Sequence, residues 1–128
     1  MTDQEREGLN RLSEAVIGAA MEVQNTLGAG FLEKVYERAL AHELRLRGHV
    51  VLTQAPLEVY YKGELVGEYC ADLLVEGKLI VELKCCRALT DEHLAQTLNY
   101  LTGTKLHLAL VINFQKSRLE WKRVVRDF

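Results

Sequence analysis

The chain has 128 residues, 48% of them apolar and 27% charged, with a formal net charge of −2. This length suggests one domain spanning 1–128, able to bury about two-thirds of its unfolded surface, and the composition is that of an ordinary globular protein. No apolar run approaches the ~18 residues of a membrane span, and the polar, acidic start MTDQEREGLNRL is unlike a secretory signal, so the expectation is a cytoplasmic protein with no membrane partner.

Residues 6–27 place Leu9, Leu12, Val16, Ala19, Ala20, Val23 and Leu27 at spacings of three and four, which predicts a helix. Gly28 in LGAG can take the left-handed geometry that ends it. A second helix is predicted over about 31–47, with Leu32, Val35, Tyr36, Ala39, Leu40 and Leu44 on one face and Gly48 as its stop. The period then changes. HVVLTQAPLEVYY, LVGEYCADLLV and KLIVELKC are rich in β-branched and aromatic residues and read as three strands, separated by turns at Tyr61–Glu64 and Glu76-Gly77. Helical spacing returns over 91–103, with Thr90 or Asp91 as cap and Gly103 as stop. LHLALVINF, at 106–114, reads as a strand buried on both faces. RLEWKRVVR, at 118–126, reads as a final edge strand. The order ααβββαββ is a mixed α/β arrangement with helices packed on a sheet.

Three cysteines, Cys70, Cys85 and Cys86, form neither a disulfide framework nor a zinc spacing. They read as small strand residues. Charge is uneven along the chain: residues 1–33 hold six acids and two bases, residues 101–128 six bases and two acids. A basic face on a mildly acidic protein would follow; equally, the two ends could pair with each other or sit in solvent.

The charges in ADLLVEGKLIVELK stand out, because an unpaired charge is costly in a buried strand. Glu82 and Lys84 share one face of their strand. A two-residue turn, Glu76-Gly77, would set Asp72 opposite Val81 and away from Glu82. A three-residue loop, Glu76-Gly77-Lys78, would set the two carboxylates opposite each other, as would a bulge elsewhere in the hairpin. Converging carboxylates repel, and a hard divalent cation with all-oxygen ligands, magnesium or manganese, resolves that. The backbone carbonyl of Leu83 could add a ligand. Lys84 beside the metal could hold a water nucleophile or stabilise the transition state of phosphodiester hydrolysis. The alternative is an Asp–Lys or Glu–Lys pair on an exposed sheet face.

Asp72 followed by Glu82-Leu83-Lys84 on the next strand resembles the PD-(D/E)XK nuclease superfamily, with Ala71 where its motif has proline. The resemblance implies a restriction-endonuclease-like αβββαβ core over about 31–114, with an extra N-terminal helix and a C-terminal edge strand. Gln96 and Tyr100 resemble the QxxxY accessory motif of an exonuclease-like branch. Gly30-Phe31-Leu32-Glu33-Lys34-Val35-Tyr36 is similar to the signature of the GxxExxY protein family, a small branch of the same superfamily. The resemblance further implies a metal held by Asp72 and Glu82, a catalytic Lys84, a Glu33 that assists the metal, and Gln96 near the lysine. Each has a plainer alternative: Glu33 as a first-turn acid favoured by the helix dipole, Gln96 satisfying a backbone group, Tyr36 and Tyr100 as core aromatics with bonded hydroxyls.

His93, three residues before Gln96, reads as a surface or capping residue. Tyr36 and Tyr100 are candidate substrate contacts, and among the tail bases Lys116 and Arg118 are candidates for phosphate contact, although charge on an edge strand also blocks aggregation. Trp121 is either a base-stacking platform or a packed core residue. Together these readings predict a divalent-metal-dependent nuclease acting on nucleic acid, with DNA the expected substrate. The alternative is a catalytically weak or inactive nucleic-acid-binding or protein-interaction module on the same fold. A homodimer fits the small size and near-neutral charge.

Overall fold

A computed structural model describes residues 1–128. The elements are α1 (Asp3–Leu27), α2 (Glu33–Leu46), β1 (Val51–Tyr61), β2 (Glu64–Val75), β3 (Leu79–Lys84), α3 (Asp91–Thr104), β4 (Leu108–Asn113) and β5 (Glu120–Val125). They form a mixed α/β fold in which the αβββαβ core runs from α2 to β4. The sheet order is β1-β2-β3-β4-β5. β3 and β4 are parallel and every other neighbouring pair is antiparallel. No helix is long and apolar enough to cross a membrane.

The central parallel pair is buried on both faces, which is why LIVELK and LALVIN are nearly continuous apolar runs. α1 and α2 cover one face through Val16, Ala20, Leu40 and Leu44, packed on Leu79, Val81, Leu83, Leu110 and Ile112. α3 covers the other, where Leu101 meets Ile80, Ala109 and Val111. The ends of the chain also meet: Arg123 donates to Asn10 at 2.7 Å, Arg6 donates to the Phe128 carbonyl, and both guanidiniums lie over the Phe128 ring.

Two backbone features depart from regular geometry and both serve the sheet centre. Gln54 has φ +49, a left-handed conformation rare for a residue with a Cβ. Around it the long hairpin changes faces. Val51, Leu73 and Val75 pack on the α1/α2 side, whereas Ala55 and Ala71, of the same parity, pack on the α3 side. The distal hairpin therefore lies against α3. Gly103 is what allows that approach, since a Cβ there would stand 2.9 Å from Val59 Cγ2. The expectation that Gly103 stops the helix is corrected: α3 runs on to Thr104 and ends at Lys105, which is left-handed at φ +65.

The second departure is the β2–β3 connection. Val75 pairs with Leu79, so the loop has three residues, Glu76-Gly77-Lys78, with Glu76 (φ +55) and Gly77 (φ +66) both left-handed. Of the two registers open from the sequence, this one sets Asp72 opposite Glu82.

Candidate active site

The β2–β3 ladder ends at Leu73↔Val81. One step further, the Asp72 side chain replaces the backbone: the Leu83 N–H donates to Asp72 Oδ2 at 2.7 Å. The N–H and C=O of one strand residue project toward the same neighbouring strand. The Lys84 carbonyl accepts from Phe114 N on the β4 side, so the Leu83 carbonyl faces the β2 side, where Asp72 lies. Asp72 Oδ1 accepts a long bond, 3.4 Å, from Gln54 Nε2.

Glu82 is buried, and its Oε1 has no hydrogen-bond partner. Burial, then the charge of Asp72 and a hydrogen bond to it, push the Glu82 carboxyl up to about 8, with Lys84 opposing. Only a shared proton can link two carboxyl groups in this way. Lys84 is half-buried on the same strand face and enters no salt bridge. Glu33 reaches the same group from the first turn of α2. Its carboxyl is raised by partial burial first and by Asp72 next, while Lys84 pulls it down. Four charged side chains from three elements, α2, β2 and β3, thus interact at the C-terminal end of β3.

The α1–α2 connection explains how Glu33 is aimed. Gly30 has φ +109. Tyr36 is fully buried, and its hydroxyl donates to the Gly28 carbonyl at 2.5 Å and accepts from Phe31 N at 3.3 Å. Its ring stacks on Phe114 at 4.7 Å. The tyrosine therefore locks the turn that precedes Glu33. The expectation of a substrate contact at Tyr36 is corrected, because a side chain with no exposed surface has none to offer.

The other residues singled out from the sequence lie around this cluster. Tyr100 stacks on Tyr69, ring centroids 3.5 Å apart, and both hydroxyls are raised by burial first and then by the charge of Glu82. The Tyr69 hydroxyl, like Glu82 Oε1, is buried without a partner. Gln96 is exposed and makes no hydrogen bond to Lys84 or to either carboxylate. His93 completes the α3 capping box with Thr90. Trp121 packs against the main core. Lys116 and Arg118 lie on the β4–β5 loop at the same end of the sheet, Lys116 beside Glu120 at 3.7 Å.

Two residues of the site escaped sequence reasoning. Glu37 is buried, ion-paired to Lys34 at 2.7 Å, and accepts a short bond from Gln54 Nε2, which also reaches Asp72. Glu37 stands four residues after Glu33, hence on the same helical face, and that spacing was the available signal. Gln54 carried none.

The donors suit a hard divalent cation: two carboxylates, one of them with a buried oxygen that has no partner, and a carbonyl on the same side. No three His, Cys, Asp or Glu side chains are gathered into a ready-made metal cluster; the two carboxyls that meet directly are those of Asp72 and Glu82. A groove of about 1060 Å³ lies elsewhere, between α1 and the turns holding His49, Glu76 and His107. It contains none of these residues. The acids, the lysine and the strand ends that hold them mark the site on chemical grounds.

Residues 10–124 match the family model of the PD-(D/E)XK nuclease superfamily. No curated protein matches the chain. Among solved structures, the crystal structure of SSO0001 aligns with TM-score 0.51 at 19% identity, over 70% of this chain and 49% of that one. An alkaline exonuclease, LHK-Exo from Laribacter hongkongensis, aligns with TM-score 0.53 at 15% identity, over 85% of this chain and 68% of that one. The chain spans about half the length of the first and two-thirds of the second, and these likenesses are of fold.

Proposed function

The chain belongs to the PD-(D/E)XK nuclease superfamily, and on that ground we propose that it is a divalent-metal-dependent nuclease whose centre is Asp72, Glu82 and Lys84. The observation that carries this reading is Glu82: a buried carboxyl with an unpartnered oxygen, pressed against a second carboxyl. Such an arrangement is unfavourable for folding alone and is explained by a cation that satisfies both groups. Within the superfamily we infer the GxxExxY branch, a reading supported by the signature residues Gly30, Glu33 and Tyr36.

Asp72, Glu82 and the Leu83 carbonyl would hold magnesium or manganese. The bound ion would activate water and offset charge on the phosphate. Lys84 has three donors and no competing acid partner, so it is free to orient the attacking water or to bond a non-bridging phosphate oxygen as charge develops. Glu33, at the mouth of the site, accepts hydrogen bonds from water and turns it toward the phosphate. Gln54 bridges Asp72 to Glu37 and fixes the Asp72 rotamer. Tyr100 and Tyr69 wall the site on the α3 side, and Gln96 lies one turn before Tyr100 on the exposed surface. The substrate we infer is DNA, and the protein acts in the cytoplasm; a homodimer would extend the small basic surface.

A second reading rests on one observation. No three acidic, His or Cys side chains are placed to share one cation, so a nucleic-acid-binding module with slow or no turnover would have the same appearance. Incubation with linear and circular DNA in magnesium or manganese separates the two. Cleavage is expected in the wild type and should fall by about 10²-fold or more in Asp72→Ala and Lys84→Ala, with unchanged far-ultraviolet circular dichroism. Binding without cleavage in either metal selects the second reading. Cleavage that persists in both variants removes the proposed centre.

A further inference from the structure

The loops that follow β3 and β4 carry a feature that the carboxylate site does not use. Because the two strands are parallel with Lys84 beside Asn113, residues 85–90 and 114–119 leave the sheet side by side. Asn113 is fully buried and ties them together. Its Oδ1 accepts from Cys86 N and Gln115 N, both at 3.2 Å, and its Nδ2 donates to the Cys86 carbonyl at 2.8 Å and to Glu120 Oε1 at 3.0 Å. Glu120 Oε1 also accepts from Leu89 N at 3.2 Å. The first loop is therefore pinned at Cys86 and Leu89, and Arg87 lies between the pins. The second is pinned at Gln115 and Glu120, and Arg118 lies between those.

Both arginines are exposed, and neither makes an ion pair or hydrogen bond. The nearest acid of the network, Glu120, is already engaged by Asn113, Leu89 and Lys116. Asp91 and Glu92 follow the Arg87 loop in the first turn of α3, and neither pairs with an arginine. A side chain as long as arginine loses much rotamer freedom when immobilised; here the fold instead fixes the backbone on either side and leaves the guanidiniums free to meet an anion.

We propose that Arg87 and Arg118, on adjacent loops that Asn113 ties together, form a clamp for two phosphates of a nucleic-acid strand lying across the Lys84 end of the site. This inference rests on the nuclease reading and names the surface that holds its substrate. Guanidiniums meet phosphates through paired N–H donors, and such contacts position the strand without reading its sequence. Neither loop offers a groove-entering helix or ribbon, so the clamp is sequence-independent.

The test is binding of fluorescently labelled single- and double-stranded DNA to the full chain in EDTA, by anisotropy, from about 50 to 200 mM salt. Each phosphate contact contributes about 0.7 to 0.9 to the slope of log K against log salt. Arg87→Ala and Arg118→Ala should each flatten the slope by that amount, and the double variant by twice as much. Arg87→Lys should keep the slope. Arg11→Ala, at the far groove, makes the same charge change away from the site and should leave the slope unaltered. An unchanged slope in the double variant overturns the clamp, as does a wild type that does not bind DNA at the lowest salt. The two failures are separable: binding with the expected slopes but no cleavage in any metal supports the clamp and removes the nuclease reading, whereas cleavage with unaltered slopes does the reverse.

Discussion

Glu82 and Asn113 are both buried polar residues on adjacent parallel strands, near the same end of the sheet. Their surroundings are opposite. Asn113 has four hydrogen bonds from its single amide. Glu82 has an oxygen with no partner and a second carboxyl beside it. Burying a polar group is tolerated when every donor and acceptor is met and is costly otherwise. Asn113 therefore belongs to the architecture: it holds two loops in place. Glu82 stands against stability, and a role in the proposed metal centre would be the compensating gain. Buried polar groups that share one strand end are thus sorted by what remains unsatisfied.

The contrast is most open to refutation in the pH dependence of Glu82. Its carboxyl is raised from 4.5 to about 8 in the fold, so the native state keeps a proton that the unfolded chain releases. Stability linked to this group is complete below about pH 4.5, declines as pH rises, and is fully lost above about pH 8. The largest loss is about 5 kcal/mol, at ~1.4 kcal/mol for each pH unit between the two values. Urea denaturation in EDTA from pH 5 to 9 should show Glu82→Gln gaining on the wild type across that window. Parallel pH curves would mean that the carboxyl ionises freely in the fold. Saturating manganese should flatten the wild-type curve and leave that of the variant in place, since a bound cation favours the ionised carboxylate.

Asn113 should respond in the other direction. Asn113→Ala leaves the Cys86 N–H, the Cys86 carbonyl and the Gln115 N–H without their partner. A loss of about 2–4 kcal/mol is expected, from roughly 1–3 kcal/mol for each stranded buried group, reduced where water enters. Urea titration measures it, and hydrogen exchange should speed up at Cys86 and Leu89 ahead of the strand core. A loss under about 0.5 kcal/mol would show that the loops are held by other contacts.

How much of this was legible in the sequence depends on the range of the interactions involved. Helix and strand periods are local, and all eight elements appear where those periods place them. Asp72, Glu82 and Lys84 stood out as charges in apolar strands, a contrast visible at a distance of two residues. Whether the carboxylates met turned on one residue of loop length. The structure takes the three-residue loop because Glu76 adopts a left-handed conformation, and nothing in a glutamate announces that. The face change at Gln54 is silent for the same reason. Tyr36 was visible as a motif residue, but its role depends on a hydroxyl reaching back eight residues to Gly28, a geometry that spacing does not specify. Asn113, inside an apolar run, was read only as part of a buried strand. A lone asparagine in such a run asks where its amide is satisfied, and that question leads to the loops.

A smaller effect tests the sorting rule on a third residue. Tyr69 stacks on Tyr100, and its hydroxyl is buried without a partner. Tyr69→Phe keeps the ring and the stack and removes only the stranded oxygen. Deleting a hydrogen-bonded hydroxyl usually lowers stability by about 1 kcal/mol, whereas deleting an unsatisfied one is neutral or favourable. Tyr69→Phe should therefore unfold at the same urea concentration as the wild type or slightly higher, by up to about 1 kcal/mol in EDTA. The same variant titrated with manganese in a calorimeter shows whether the hydroxyl also serves the site. Unchanged metal affinity makes Tyr69 an aromatic wall. A clear loss of affinity with stability intact makes it a positioning residue for Glu82, by a hydrogen bond that forms only when the carboxyl is ionised and the metal is bound.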